Sequence, residues 1–196
     1  MAISVCNKLA GNVLSRKCPT PGGLNRNSWV FQFEQFTGAE TISGTTGALQ
    51  SFGLVVGEKG IKGKGRPKRG SGASKLATTE NGSSEVEQTL VQEFGFGDQK
   101  ELNALTAYLK ADGKVVFQEL ASGAIRVFFK AYGTETSAGE EGSGETLTAD
   151  NGIMKTTLTG KEPEFPMFFE AAITAGETQL AASRAYLDAL TLAIAA

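Results

Sequence analysis

Apolar residues recur along most of this chain at every second position, the period of a half-buried strand. From Trp29 to Phe33 the rings of Trp29, Phe31 and Phe33 fall on one face, and Leu49 to Val56 reads as a second, more continuously apolar strand. Ser84 to Phe94 alternates throughout. Val86, Leu90 and Phe94 turn to a core with Gln88 and Gln92 between them, and Glu85, Glu87 and Glu93 share the opposite, acidic face with Thr89 and Val91. Lys114 to Leu120 and Ala124 to Tyr132 flank Ala121-Ser122-Gly123 and predict a hairpin in which Ile125, Val127 and Phe129 point one way. Thr146 to Thr148 and Ile153 to Thr159 flank Asp150-Asn151-Gly152, whose Asn-Gly supplies the positive φ of a tight turn, and predict another.

Two segments keep helical time instead. Asp98 to Leu109 has a capping residue in Asp98, Glu101 three positions on, and Leu102, Leu105 and Leu109 at helical spacing. At the C-terminus Leu180, Ser183, Leu187, Leu190 and Ile194 make one stripe of an alanine-rich amphipathic helix. The expected fold is therefore a β-rich α+β domain: an antiparallel β-sandwich or half-barrel with one flanking helix and a second at the C-terminus. Trp29, Phe31, Phe33, Phe117 and Phe129 are its core.

Glycine and charge interrupt this rhythm twice. Lys59, Lys62, Lys64, Arg66, Lys68, Arg69 and Lys75 place seven positive charges in seventeen residues free of acid, so a net charge of −2 hides about −9 in the rest of the chain. With six glycines and Pro67 between Gly57 and Ala73, this stretch predicts a long, exposed, mobile basic loop at about 57–75. A second connector at about 133–145 mixes Gly139, Gly142 and Gly144 with Glu135, Glu140, Glu141 and Glu145. The 196 residues read as a single domain, 1–196, carrying two long loops of opposite sign.

Candidate chemistry is sparse. The chain has no histidine, which removes Ser-His and Cys-His nucleophile pairs, and Cys6 and Cys18 alone cannot complete a four-ligand zinc site; they pair with each other or stay as small apolar thiols. No phosphate-cradling loop, dinucleotide fingerprint or nucleophile elbow occurs. Glu162 and Glu164 flank Pro163, a carboxylate pair expected to be solvated, and Phe165 to Phe169 form an aromatic cluster able to pack on the core or dock a neighbour. No cofactor and no metal is expected, and the protein is not expected to be an enzyme. Met1 to Cys18 lacks a secretory signal, and Asp188 interrupts the longest apolar tract, Ala185 to Ala196, well short of the roughly 18 residues of a bilayer span, so no membrane anchor is expected.

The basic run is the electrostatic footprint of phosphate binding, but it has no aromatic to stack on a base, and one-signed arms also serve protein partners or are merely solvated. The order of the second half carries more. Lys114-Val115-Val116-Phe117, Ile125-Arg126-Val127-Phe128-Phe129, Tyr132-Gly133, a Ser/Gly connector, Leu147-Thr148-Ala149-Asp150-Asn151-Gly152, Thr156-Thr157-Leu158-Thr159-Gly160-Lys161-Glu162 and Pro166-Met167-Phe168 together resemble the tail tube (major tail) proteins of tailed bacteriophages. The likeness covers mainly residues 101 to 170 and rests on order and texture.

That resemblance implies a homohexameric ring whose inner strands close into a barrel, rings stacked into a conduit for DNA ejection, and a location in the virion tail after synthesis in the host cytoplasm. The implied partners are other copies of the chain, other tail proteins, and DNA passing without sequence-specific binding. Glu85, Glu87 and Glu93 become candidates for the lumen. Lys59, Lys62, Lys64, Arg66, Lys68, Arg69 and Lys75 become candidates for contacts between subunits or rings. The alternatives are another virion structural protein, decorating a capsid or joining head to tail, and a nucleic-acid-binding module acting through the basic loop.

Overall fold

The computed structural model describes residues 23–65, 69–78, 84–96, 98–142 and 152–193. In chain order they form β1 (Leu24–Gln32), a single 3-10 turn (Phe33–Gln35), β2 (Phe36–Ile42), β3 (Leu49–Leu54), β4 (Gly60–Lys64), β5 (Ser71–Thr78), β6 (Ser84–Gly95), α1 (Gln99–Lys110), β7 (Lys114–Leu120), β8 (Ile125–Phe128), β9 (Glu135–Gly142), β10 (Ile153–Glu162), β11 (Met167–Phe169), α2 (Gln179–Ala189) and β12 (Thr191–Ala193). The fold is β-rich α+β with two helices. Eight strands, in the order β12-β4-β1-β7-β8-β11-β3-β2, make a sheet curled into a half-barrel, and four, β5-β6-β10-β9, make a second, wholly antiparallel sheet.

The half-barrel is apolar on both faces, which is why β7 reads as a continuous apolar run: Val115, Val116 and Phe117 are all buried. One face, with Val30, Val116 and Phe128, packs on Leu90 and Phe94 of β6, Met154 and Leu158 of β10, and Leu105 and Tyr108 of α1. The other, with Trp29, Phe31, Phe117, Val127 and Phe169, closes around Phe52 of β3 and Leu187 of α2. Within it the Phe52 ring stacks on Phe117 at 4.9 Å and meets Phe31 edge-on at 5.3 Å. The Tyr186 hydroxyl of α2 donates to the Phe52 carbonyl at 2.9 Å and accepts from its amide at 3.1 Å, so the helix is fastened to the sheet it covers.

Helix α1 starts as its sequence predicts, the Glu101 amide donating to the Asp98 carboxylate at 2.7 Å. Its far end is closed by the fully buried Lys114, whose ammonium donates to the Ala111 carbonyl and, at 3.1 Å, to the Thr136 hydroxyl. Burial lowers the Lys114 pKa.

Several expectations need correction. Most of the described basic stretch is strand rather than loop: β4 lies inside the half-barrel between β12 and β1, and β5 forms an edge of the second sheet. The connector at 133–145 is likewise a strand, β9, over most of its length. Phe33 leaves the strand for the 3-10 turn and stays partly exposed, so only Trp29 and Phe31 share the predicted buried face. Phe129 has φ +59, the only non-glycine positive φ among the described residues. That turn sends its ring into the core with Leu90 and Leu158, away from Ile125 and Val127. The C-terminal helix stops at Ala189, Leu190 caps it, and the chain returns as β12 parallel to β4. Glu162 is buried, not solvated: it accepts from the amides of Ala131 at 2.8 Å and Tyr132 at 3.1 Å, and burial raises its pKa against those two bonds. Gly152 has the expected positive φ, but Thr146 to Thr148 lie outside the described residues, and the described partner of β10 on that side is β9. Cys6, Cys18 and Ile194 also lie outside them.

Candidate assembly surface

The second sheet has one apolar face, turned to the half-barrel, and one polar face, turned outward. On β6 the division runs as the alternation predicts, with Val86, Gln88, Leu90, Gln92 and Phe94 buried and Glu85, Glu87, Thr89, Val91 and Glu93 on the other side. Two glutamines tolerate the interior because each is satisfied there. Gln88 donates to the Glu164 carbonyl and accepts from the Phe129 amide, both at 2.9 Å. Gln92 donates to Gln118 of β7 at 2.9 Å and accepts from the Tyr108 hydroxyl at 2.7 Å, so a polar bond joins the two sheets across their shared core. Burial holds the Tyr108 hydroxyl above its ordinary pKa.

The outward face is mixed in charge once neighbouring strands are added. Glu87 stands opposite Lys75 of β5 on one side and Lys161 of β10 on the other, and Glu93 stands opposite Lys155 of β10. The Lys75 ammonium lies 2.8 Å from Glu87, and Lys161 lies 3.0 Å from Glu85. The bond to Lys75 holds the Glu87 carboxyl below its usual range, and the bond to Glu85 raises Lys161. With Glu135 and Glu140 of β9 the same face carries five carboxylates against three ammonium groups. Lys155 and Lys161 are not among the sequence candidates for this face, although their spacing with Thr157 and Thr159 at every second position is a signal.

The seven basic candidates divide. Lys62 is committed within the chain: its ammonium meets Asp188 at 2.6 Å, the same carboxylate accepts from the Trp29 indole at 2.6 Å, and Lys62 sits 5.5 Å above the Trp29 ring. Lys75 is paired with Glu87. Lys59, Lys64 and Arg69 are exposed, and Arg66 and Lys68 lie outside the described residues.

The edges of this sheet matter most for what the surface can do. Among the described residues β5 and β9 each have one side unpaired, and in an antiparallel sheet of four strands the two edges run in opposite directions. β5 presents Lys75, preceded by Arg69, and β9 presents Glu135 and Glu140. An open edge is a template for another chain. Here β9 of one copy can lie antiparallel to β5 of the next, acid against base.

The described residues thus define a β-rich α+β protein whose second sheet ends in two open edges of opposite charge. No protein-family model matches the sequence, and no curated protein and no solved structure is significantly similar to it. No helix among the described residues is long and apolar enough to cross a membrane.

Proposed function

We propose that the protein is a structural virion subunit that self-assembles into hexameric rings stacked as a phage tail tube, the conduit for DNA ejection. The observation that carries this reading is the second sheet, apolar inward, polar outward and open at two antiparallel edges of opposite charge. A hexamer joined edge to edge has a wall of about 24 strands. At roughly 4.8 Å between strands and a tilt of about 40°, such a wall closes at a backbone radius of about 24 Å, leaving an opening of roughly 35 Å inside the side chains. That is ample for a duplex.

The wall would present Glu85, Glu87 and Glu93 in an excess of carboxylate over ammonium, repelling phosphate weakly while the lysines keep the repulsion from disrupting the ring. Such a subunit works by shape and charge, has no reaction to run, meets other tail proteins at the tube ends, and resides in the virion tail. The rival nucleic-acid-binding reading is weakened because Lys62 is already committed to Asp188 and the Trp29 ring within the chain.

A charge swap tests the edge pairing. Lys75→Glu or Glu140→Lys alone is expected to raise the protein concentration needed for assembly by about tenfold in sedimentation velocity, and mixing the two variants is expected to recover part of the loss. Unchanged assembly in both single variants would contradict pairing through these edges.

A further inference from the structure

Arg126 of β8 is a half-buried cation with no described acid beside it. Its guanidinium lies over the Phe128 ring at 5.9 Å and the Phe168 ring at 5.3 Å, and one amino group donates to the Pro166 carbonyl at 2.8 Å. Its Nε is enclosed without a hydrogen-bond partner, and no described carboxylate lies within ion-pair distance of the group. Burial accordingly lowers its pKa with no opposing charge to restore it. Of the other part-buried cations, Arg184 is answered by Glu119, Lys62 by Asp188 and Lys130 by Glu40, and the buried Lys114 spends its ammonium on the Ala111 carbonyl and the Thr136 hydroxyl.

The surroundings are those of a contact surface. Phe168, directly opposite Arg126 in the β8–β11 register, is 47% exposed, and Phe165 is 51% exposed. Aromatic rings framing an arginine are the composition of interface hot spots. The position also fits, because the Phe128 ring beneath Arg126 reaches the inner side of β5: a Cβ added at Gly72 would sit 2.7 Å from it. Arg126 therefore lies on the flank beside the open, basic edge strand.

The geometry points to Arg126, framed by Phe128 and Phe168, as the receiving site for a carboxylate carried by a second copy of this chain docking alongside β5. This rests on the assembly reading above and adds to it a contact on the inner side of the sheet, separate from the Lys75 side. A planar carboxylate satisfies a guanidinium through two parallel bonds, which a lysine at the same place cannot reproduce.

The experiment uses the full-length chain. Arg126→Gln and Arg126→Lys are compared with the unaltered protein by sedimentation velocity, with thermal melting in dilute solution as the check on folding. In parallel, arginine modification by phenylglyoxal is mapped by mass spectrometry in dilute protein, in assembled protein, and in dilute protein with inorganic phosphate. We expect both variants to melt close to the unaltered protein yet to need about tenfold more protein to assemble, and Arg126 to be modified in dilute protein and protected on assembly. Assembly of Arg126→Gln at the unaltered concentration would overturn the inference while leaving the tube reading standing. Protection by inorganic phosphate in dilute protein would overturn it in favour of a small-anion site. If the unaltered chain never assembles, both readings fall. Should Arg126→Gln melt much lower, the modification map alone decides, since protection on assembly is read on the unaltered chain.

Discussion

Arg184, midway along α2, grips the carboxylate of Glu119 at the end of β7 with two bonds, Nε to Oε2 at 2.9 Å and Nη2 to Oε1 at 2.5 Å. Glu119 is fully enclosed and is held from its other side by the amides of Asn25 and Asn27. The pair clamps α2 over the half-barrel, and removing one partner strands a buried charge. Arg184→Leu is expected to cost about 3 kcal/mol in urea denaturation, and Arg184→Lys to recover only part of it because an ammonium cannot make the paired bonds.

The same pair sets the response to acid. Burial pushes the Glu119 carboxyl up, but Arg184 and Asn27 outweigh it and the folded pKa lies below the ordinary 4.5. A depressed carboxyl contributes stability that is present above 4.5 and is lost as pH falls through the folded value. Unfolding free energy measured downward from pH 5 is therefore expected to fall more steeply in the unaltered protein than in Glu119→Gln. Equal slopes would show that Glu119 is not the group being titrated.

By sequence Lys62 belongs with the candidates for contacts between subunits or rings, but its contacts within the chain predict a different behaviour. Lys62→Ser should loosen Asp188 from the indole of Trp29, the single tryptophan of the chain, shifting its fluorescence and lowering stability by about 0.5–1 kcal/mol. Lys64→Ser, at the exposed end of the same strand, should change neither.

What the sequence concealed was the purpose of its glycines. Strand β6 and helix α1 were legible because alternation and a capped leucine spacing are local signals. Strands β4 and β5 were read as loop because glycine and lysine dominate them. Yet a Cβ at Gly60 would stand 2.5 Å from the Phe31 ring, at Gly63 2.9 Å from the Ser28 hydroxyl, and at Gly72 2.7 Å from the Phe128 ring. Those glycines admit bulky neighbours to a sheet, a reason that exists only once distant segments are paired. The outward face misled for the same cause: Glu85, Glu87 and Glu93 were visible together, but Lys75, Lys155 and Lys161 join them only through register.

Gly60→Ala is expected to lower thermal stability by about 1–3 kcal/mol through overpacking against Phe31, whereas Gly44→Ala, with nothing within 4 Å of its added Cβ, should be close to neutral.

Assembly itself is tested most directly by negative-stain electron microscopy of the purified full-length chain across a range of protein and salt concentrations. Rings with a central opening of roughly 35 Å that stack end to end into tubes are the expected result. Monomers at every concentration, or discrete particles without an opening, would contradict it.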